Sequence, residues 1–254
     1  MEVISSRHNP TIQLFRRLAG EREARRSAGL YLGQGHKLLE EAIQNRAPIE
    51  TVLYAGKHPQ LPEGVESVEV TEDLLGYVSP MKSAPELLFS CRLPDTDAPM
   101  KGRILLAEDM QDPGNVGTMI RTAAAFGFDG LLLAGACADP WGPKAVRASM
   151  GAVFRLQLRE EPDAAKAAAA LHDAGIPIYA AALSEETMTA GRFRFPKQLA
   201  LAIGNEGHGL SETLLNAADK VVRIPMAPGA ESLNAAAAAA VLMWETYRER
   251  DDDV

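Results

Sequence analysis

The sequence predicts an α/β protein in two parts: a small mixed domain over residues 1–95 and a larger parallel-sheet domain over residues 98–254. Three observations carry this expectation. Strand-like and helix-like segments alternate along the chain, the pattern of βα units. Strand segments of the second part, at 104–108, 130–134 and 199–203, are apolar almost throughout rather than alternating, as strands covered on both faces are. Between the parts, Pro94-Asp95-Thr96-Asp97-Ala98-Pro99 is rich in chain breakers and poor in apolar residues, so it reads as a linker with the boundary near residue 97.

Taken in order, the first 30 residues read as a helix entered by Asn9 as cap and Pro10 in the first turn. Ile12, Leu14, Phe15 and Leu18 form its apolar stripe, and arginines fill the other face. A strand is expected at 29–33, then a helix over 36–45 with Leu38, Leu39, Ala42 and Ile43 inward. Strands at 51–55 and 67–70, a short helix over 71–77 and a strand at 87–91 complete the first part. The second part begins with a strand at 104–108, a helix from 115 to 126 and a strand at 130–134. A helix over 142–149, a strand at 153–158, an Ala-rich helix over 164–174 and a strand at 178–181 follow. Next come strands at 199–203 and 221–224 around a short helix at 211–216, then a long helix over 232–248. Residues 251–253 read as a solvated acidic tail.

A hydrophobic content of 46% excludes a disordered chain. The net charge of −8 excludes a uniformly basic surface, yet the charge is uneven. Arg7, Arg16, Arg17, Arg22, Arg25 and Arg26 give residues 1–30 a net +3. Such a face is either simply solvated or a local phosphate-binding surface. Cys91 and Cys137 form no CxxC pair, which argues against a zinc site or a disulfide framework and fits a reducing cytoplasm. The N-terminus lacks the apolar core of a signal peptide, and no apolar run approaches the roughly 18 residues of a membrane span. Neither a metal nor a membrane partner is expected.

Three Gly- and Asn-rich loops follow strands, where α/β proteins build their sites. They are Asp112-Pro113-Gly114-Asn115-Val116-Gly117-Thr118, Ile203-Gly204-Asn205-Glu206-Gly207-His208-Gly209-Leu210-Ser211, and the run from Ile224-Pro225-Met226 to Glu231-Ser232-Leu233-Asn234. None is a dinucleotide fingerprint, a Walker A loop or a GxSxG elbow. Small residues and backbone donors would let the chain approach a ligand closely.

In this order and spacing the loops resemble the SpoU, or TrmH-like, RNA 2′-O-ribose methyltransferases. The likeness covers about residues 103–248, and residues 1–95 more loosely resemble the L30e-like substrate-binding domain that often precedes that core. The resemblance implies a deep trefoil knot in the C-terminal segment and an S-adenosylmethionine site within it, contacted at Gly204, Ile224, Met226 and Leu233. It implies an RNA substrate, ribosomal or transfer, and a homodimer with the last helix at its interface. The third loop departs from the usual pattern, which continues Asn-Val-Ser: here Asn234 is followed by Ala235-Ala236, without a hydroxyl at 236. Gln34 stands where a Glu before Gly is common.

The same resemblance makes Arg121 the residue that anchors RNA phosphate or helps activate the ribose hydroxyl, against the simpler reading of a surface ion pair. With a pKa above about 12, a guanidinium needs a perturbed setting or a phosphate-assisted route to act as base. Asn115 reads both as a helix cap and as a substrate or orienting contact. Glu206 is either a solvated loop acid or the group that holds Asn115 or Arg121. Ser232 reads as the cap of the last helix and Asn234 as a first-turn contact, and both also line the expected site. His208 reads as a loop histidine. Lys144 and Arg147 could add phosphate contacts. Two other readings stand beside this one: a non-catalytic RNA-binding or assembly factor of the same fold, and a methyltransferase acting on a base.

Overall fold

A computed structural model describes residues 3–79, 85–95, 98–182, 187–229 and 232–251, with side chains to residue 248. Linker residues 96–97, Ala230 and Glu231 of the third loop, and residues 252–253 of the expected tail lie outside the described residues. The chain divides into two units, one of Met1–Asp95 with Asp139–Arg155 and one of Thr96–Ala138 with Leu156–Val254.

In the first unit, α1 (Pro10–Gly20) and α2 (Arg22–Ala28) precede β1 (Leu30–Gln34) and α3 (His36–Gln44). Then come β2 (Ile49–Tyr54), β3 (Glu66–Glu69), α4 (Glu72–Val78) and β4 (Leu87–Arg92). The sheet order is β1-β4-β2-β3; β4 is antiparallel to both neighbours and β2 is parallel to β3. Asn9 caps α1, its Oδ1 accepting the Thr11 N–H at 2.9 Å. The single helix expected over the first 30 residues is two. After Gly20, a weak helix former, Glu21 is extended (φ −114°, ψ 118°) and restarts the helix on a new axis. The stripe of Ile12, Phe15 and Leu18 packs with Leu32, Leu53 and Leu88 and with Leu74, Leu75 and Val78 of α4.

The second unit contributes β5 (Arg103–Glu108), α5 (Pro113–Ala125) and β6 (Gly130–Ala134), and after the excursion into the first unit it resumes with β7 (Gln157–Glu161). In that excursion lie α6 (Pro143–Ala148) and a 3₁₀ turn, Ala152–Phe154. The chain continues through α7 (Ala164–Asp173), β8 (Ile178–Ala181), β9 (Met188–Thr189), β10 (Leu199–Ile203), α8 (Glu212–Ala217), β11 (Lys220–Arg223) and α9 (Ala235–Asp251). Seven strands run in the order β7-β6-β5-β10-β8-β11-β9, and every pairing is parallel. Ile104, Leu106, Leu132, Ile178 and Ala200 meet Ala167, Ala168 and Leu171 of α7 and Leu214 of α8 in one core.

Two expectations change here. The strand expected at 153–158 begins only at Gln157, paired with Gly130. Before it, Gly151 (φ +87°) and the bonds Phe154 N–H to Gly151 O (3.1 Å) and Arg155 N–H to Ala152 O (3.0 Å) hold the chain in turns. The edge strand β9 escaped notice because two residues carry no period.

Within the first unit Arg25 is buried, at 5% exposure. Its Nε and Nη2 lie 2.7 and 2.6 Å from Asp139 Oδ2, and its Nη1 donates to Leu18 O at 2.6 Å. This corrects the reading of Arg25 as a phosphate contact: the side chain is spent inside the protein.

Candidate functional site

Because all seven strands point the same way, the loops leaving β5, β10 and β11 emerge on one edge of the sheet. The first enters α5, whose cap is Asp112 and not Asn115: Asp112 Oδ1 accepts the Gly114 N–H at 2.9 Å. Asn115 is thereby released into the first turn with its amide available.

The second loop folds back on itself. The Asn205 N–H donates to Gly209 O at 3.1 Å, and the Gly209 N–H returns a bond to Asn205 O at 2.9 Å. Gly204 is required at the base of this fold, since a Cβ there would fall inside backbone atoms of Gly209 and Leu210. Asn205 Nδ2 donates to Asp109 O at 2.9 Å, tying this loop to the one after β5. Below it, the Ser211 N–H and Oγ–H both donate to the Glu108 carboxylate at 2.7 Å. Glu108 is only 3% exposed, so these bonds stabilise a charge that would otherwise be costly to bury. Sequence reasoning passed over Glu108, Asn205 and Ser211. A signal existed: an acid ending a buried apolar strand demands donors from elsewhere.

The loops meet at three side chains. Asn115 Nδ2 donates to Glu206 Oε1 at 2.6 Å, and Asn234 Nδ2 lies 3.2 Å from the same oxygen and 3.3 Å from Asn115 Oδ1. Asn234 Oδ1 accepts the N–H groups of Ala236 and Ala237 at 3.0 and 3.2 Å, so Asn234, not Ser232, caps α9. Ala236 is buried, and its contact runs through its backbone, which a side-chain hydroxyl does not supply.

Beside this triad lies a cavity of about 410 Å³. Gly204, Ile224, Met226 and Leu233 all line it, together with Glu206 and Ser232. Its remaining walls are mostly small or aliphatic, Ala181, Ala182, Val222 and Ala238 among them. An apolar slot with a few polar groups and close backbone suits a flat heteroaromatic ligand with a polar tail. Arg121 is exposed on α5 and makes no hydrogen bond or ion pair among the described residues; it lines none of this cavity. His208 is exposed, 3.6 Å from Asp109.

Burial pushes the Cys91 thiol up to about 12 and the Cys137 thiol up to about 11, the latter against a lowering bond from the Met110 N–H. Both stay protonated at neutral pH and are unsuited to nucleophilic chemistry. Among the described residues no cluster of His, Cys, Asp and Glu could hold a metal ion. No described helix is long and apolar enough to cross a membrane.

Of the N-terminal arginines, Arg7 and Arg16 lie over the Tyr77 ring at 4.8 and 5.1 Å, and Arg16 Nη1 donates to Tyr77 O at 2.8 Å. Arg17 pairs with Glu21 at 3.4 Å on an exposed face. Arg26 is exposed and Arg22 half-buried.

The model of the SpoU rRNA Methylase family matches residues 102–244, and that of the MRM3-like substrate binding domain matches residues 9–88. The 23S rRNA (uridine(2479)-2′-O)-methyltransferase of Streptomyces viridochromogenes is 34% identical, over 97% of this chain and 92% of its own length. The 23S rRNA (guanosine(2553)-2′-O)-methyltransferase RlmP of Bacillus subtilis is 30% identical, over 96% of this chain and 98% of its own. Among solved structures, the SpoU methyltransferase AviRb from Streptomyces viridochromogenes in complex with AdoMet superposes with a TM-score of 0.84. It is 32% identical and covers 96% of this chain and 99% of its own.

Proposed function

The chain belongs to the SpoU rRNA methylase family, and from that premise we propose how its residues carry out S-adenosylmethionine-dependent methylation of an RNA ribose 2′-OH. The reaction and the cofactor are those of the family; the assignments below are our reading. The observation that carries it is the meeting of three loops, distant in sequence, around one cavity beside the Asn115–Glu206–Asn234 triad.

Gly204, Ile224, Met226 and Leu233 hold S-adenosylmethionine. The fit rests on the missing Cβ of Gly204 and on the small, apolar lining of the cavity. When bound, the cofactor supplies an electrophilic methyl group on a sulfonium. Glu206 accepts from Asn115 and Asn234 and so fixes both amides before substrate arrives, a preorganisation that limits the entropy lost on reaching the reactive geometry. Ser232, at the cavity wall, offers a hydroxyl to the substrate. Arg121 anchors a phosphate of the target nucleotide, and its positive charge stabilises the 2′-oxyanion that develops as the hydroxyl proton passes to a phosphate oxygen and the oxygen takes the methyl group. Its exposure and the lack of a partner among the described residues leave it available for this.

We assign residues 1–95, an L30e-like domain, to RNA binding, and residues 98–254 to a trefoil-knotted catalytic domain. Arg7, Arg16, Arg17, Arg22 and Arg26 make phosphate contacts; Arg25 does not. The protein acts in the cytoplasm, as a homodimer joined through α9. There Val241 and Trp244 are 39% and 46% exposed, and Trp244 stacks with Tyr247 and meets Phe126 at a tilt, an unusually apolar face for an outer surface.

The test is transfer of labelled methyl from S-adenosylmethionine to unmodified rRNA or tRNA, with the product mapped by resistance to alkaline cleavage. Methyl on a base would favour the base-directed reading. Cofactor binding without transfer to any RNA would favour an assembly factor.

A further inference from the structure

We propose that Met150, with Lys37 and Arg147 beside it, forms an RNA contact in the first unit, seating an unstacked base against the thioether while the two cations take flanking phosphates. The proposal rests on the reading of this protein as an RNA enzyme and adds a binding site to it.

The turn 149–151 is unusual on two counts. Met150 has φ +51°, a left-handed conformation that a side chain disfavours. It is also 43% exposed, one of few large apolar side chains on the described surface. Folding therefore opposes this residue twice, in backbone and in solvation. Strain of this kind persists where the surroundings enforce it and tends to mark binding sites.

The surroundings do enforce it. Ser149 is fully buried, and its Oγ–H donates to Val146 O at 2.7 Å. Gly151 follows at φ +87°, so close to α3 that an added Cβ would lie 2.8 Å from Glu41 Cβ. The turn is thus seated on α3 and presents Met150 outward as a fixed knob.

What borders the knob identifies the occupant. Gln34, Lys37, Leu38, Glu41, Arg147 and Met150 line a shallow cleft of about 120 Å³. Lys37 and Arg147 are exposed, and Lys37 makes no ion pair among the described residues. Lys144, three residues before Arg147, falls on the same side of α6. Glu41, the acid of the cleft, lies 3.9 Å from Arg155 Nη1, which offsets its charge. In a chain of net charge −8, this cluster of cations around a polarisable apolar side chain complements a nucleic acid better than a protein or a lipid.

The decisive variant is Met150→Gly, which removes the side chain and relieves the backbone. It should melt no lower than wild type, yet bind a deproteinised, unmodified 23S rRNA transcript about tenfold more weakly. Lys37→Ala and Arg147→Ala should weaken the same binding and flatten its salt dependence by about one charge each. S-adenosylmethionine affinity, read by calorimetry, should stay at the wild-type value in all three. Unchanged RNA affinity in Met150→Gly and Lys37→Ala, while wild type methylates the RNA, would overturn the site and leave the enzymatic reading standing. Absence of methylation by wild type would instead defeat the parent reading. A Met150→Gly protein that unfolds more easily would show the residue to be structural and equally refute the proposal.

Discussion

Replacing Arg25 with alanine should cost stability and leave RNA binding intact, the reverse of what its neighbours should do. The guanidinium makes three short contacts, two to Asp139 Oδ2 and one to Leu18 O, with side-chain exposures of 6% for Arg25 and 12% for Asp139. Removing one partner of a buried pair strands the other charge, at about 3–5 kcal/mol. Asp139 Oδ1 still accepts the Trp141 N–H at 2.9 Å, so the lower end, about 3 kcal/mol, is expected. That is roughly a hundredfold in the folding equilibrium. Trp141 lies in the same unit, 4.8 Å from Tyr31, and is 6% exposed, so its emission reports unfolding there. With Trp244→Phe as background it is the sole tryptophan. Urea titrations of Arg25→Ala should show an earlier transition. Arg25→Met with Asp139→Asn, which leaves no charge stranded, should regain most of the loss. Arg16→Ala and Arg26→Ala, which remove contacts of exposed side chains, should shift the midpoint far less than Arg25→Ala and lower RNA affinity. If Arg25→Ala unfolded at the wild-type urea concentration while losing RNA affinity as Arg16→Ala does, the buried-pair reasoning would be wrong.

Other outcomes follow from the site. Gly204→Ala drives a Cβ into the Gly209–Leu210 backbone, and calorimetry should find S-adenosylmethionine binding weakened about fivefold to a hundredfold, since overpacking costs about 1–3 kcal/mol. Asn234→Ala removes the α9 cap and leaves Glu206 held by Asn115 alone; melting should register about 1 kcal/mol, and turnover should fall further than stability explains. Arg121→Lys should retain RNA affinity but lose turnover if the planar guanidinium acts on the hydroxyl, whereas recovery of turnover would reduce Arg121 to a phosphate anchor. At Asp219 burial raises the carboxyl pKa, but the bond from the Ile178 N–H and the pairing with His172 outweigh it, leaving the pKa below its ordinary value. A depressed folded pKa stabilises above the unfolded value of about 3.9 and is lost as pH falls through the depressed one. Melting temperatures should therefore fall less steeply for Asp219→Asn than for wild type as pH drops from about 5 to about 2.

Apolar runs were the most legible feature. The strands Gly130–Ala134 and Leu199–Ile203 stand where their side chains predict, because a strand buried on both faces needs no partner-specific pattern. The break at Glu21 was not legible. Arg22 to Ala28 is a good helical sequence, and the interruption pays off only when Ala24 and Arg25 turn inward. The caps misled for a related reason. Asp112 and Asn115, or Ser232 and Asn234, are equally competent by type, and the choice depends on where each helix begins: the Gly114 N–H falls to Asp112, and those of Ala236 and Ala237 fall to Asn234.

The amino-acid order alone specifies what is local: most helix and strand periods, the three loops and the chemistry their resemblance implies. The fold decided what is distant. Arg25 meets an acid 114 residues away, Asn115 an acid 91 residues away, and Glu108 a serine 103 residues away. Each is a polar group whose partner is set by which backbones the packed core brings together. A carboxylate or guanidinium reads the same in sequence whether water or a buried partner satisfies it, and only the structure shows that Arg25 is spent inside the protein.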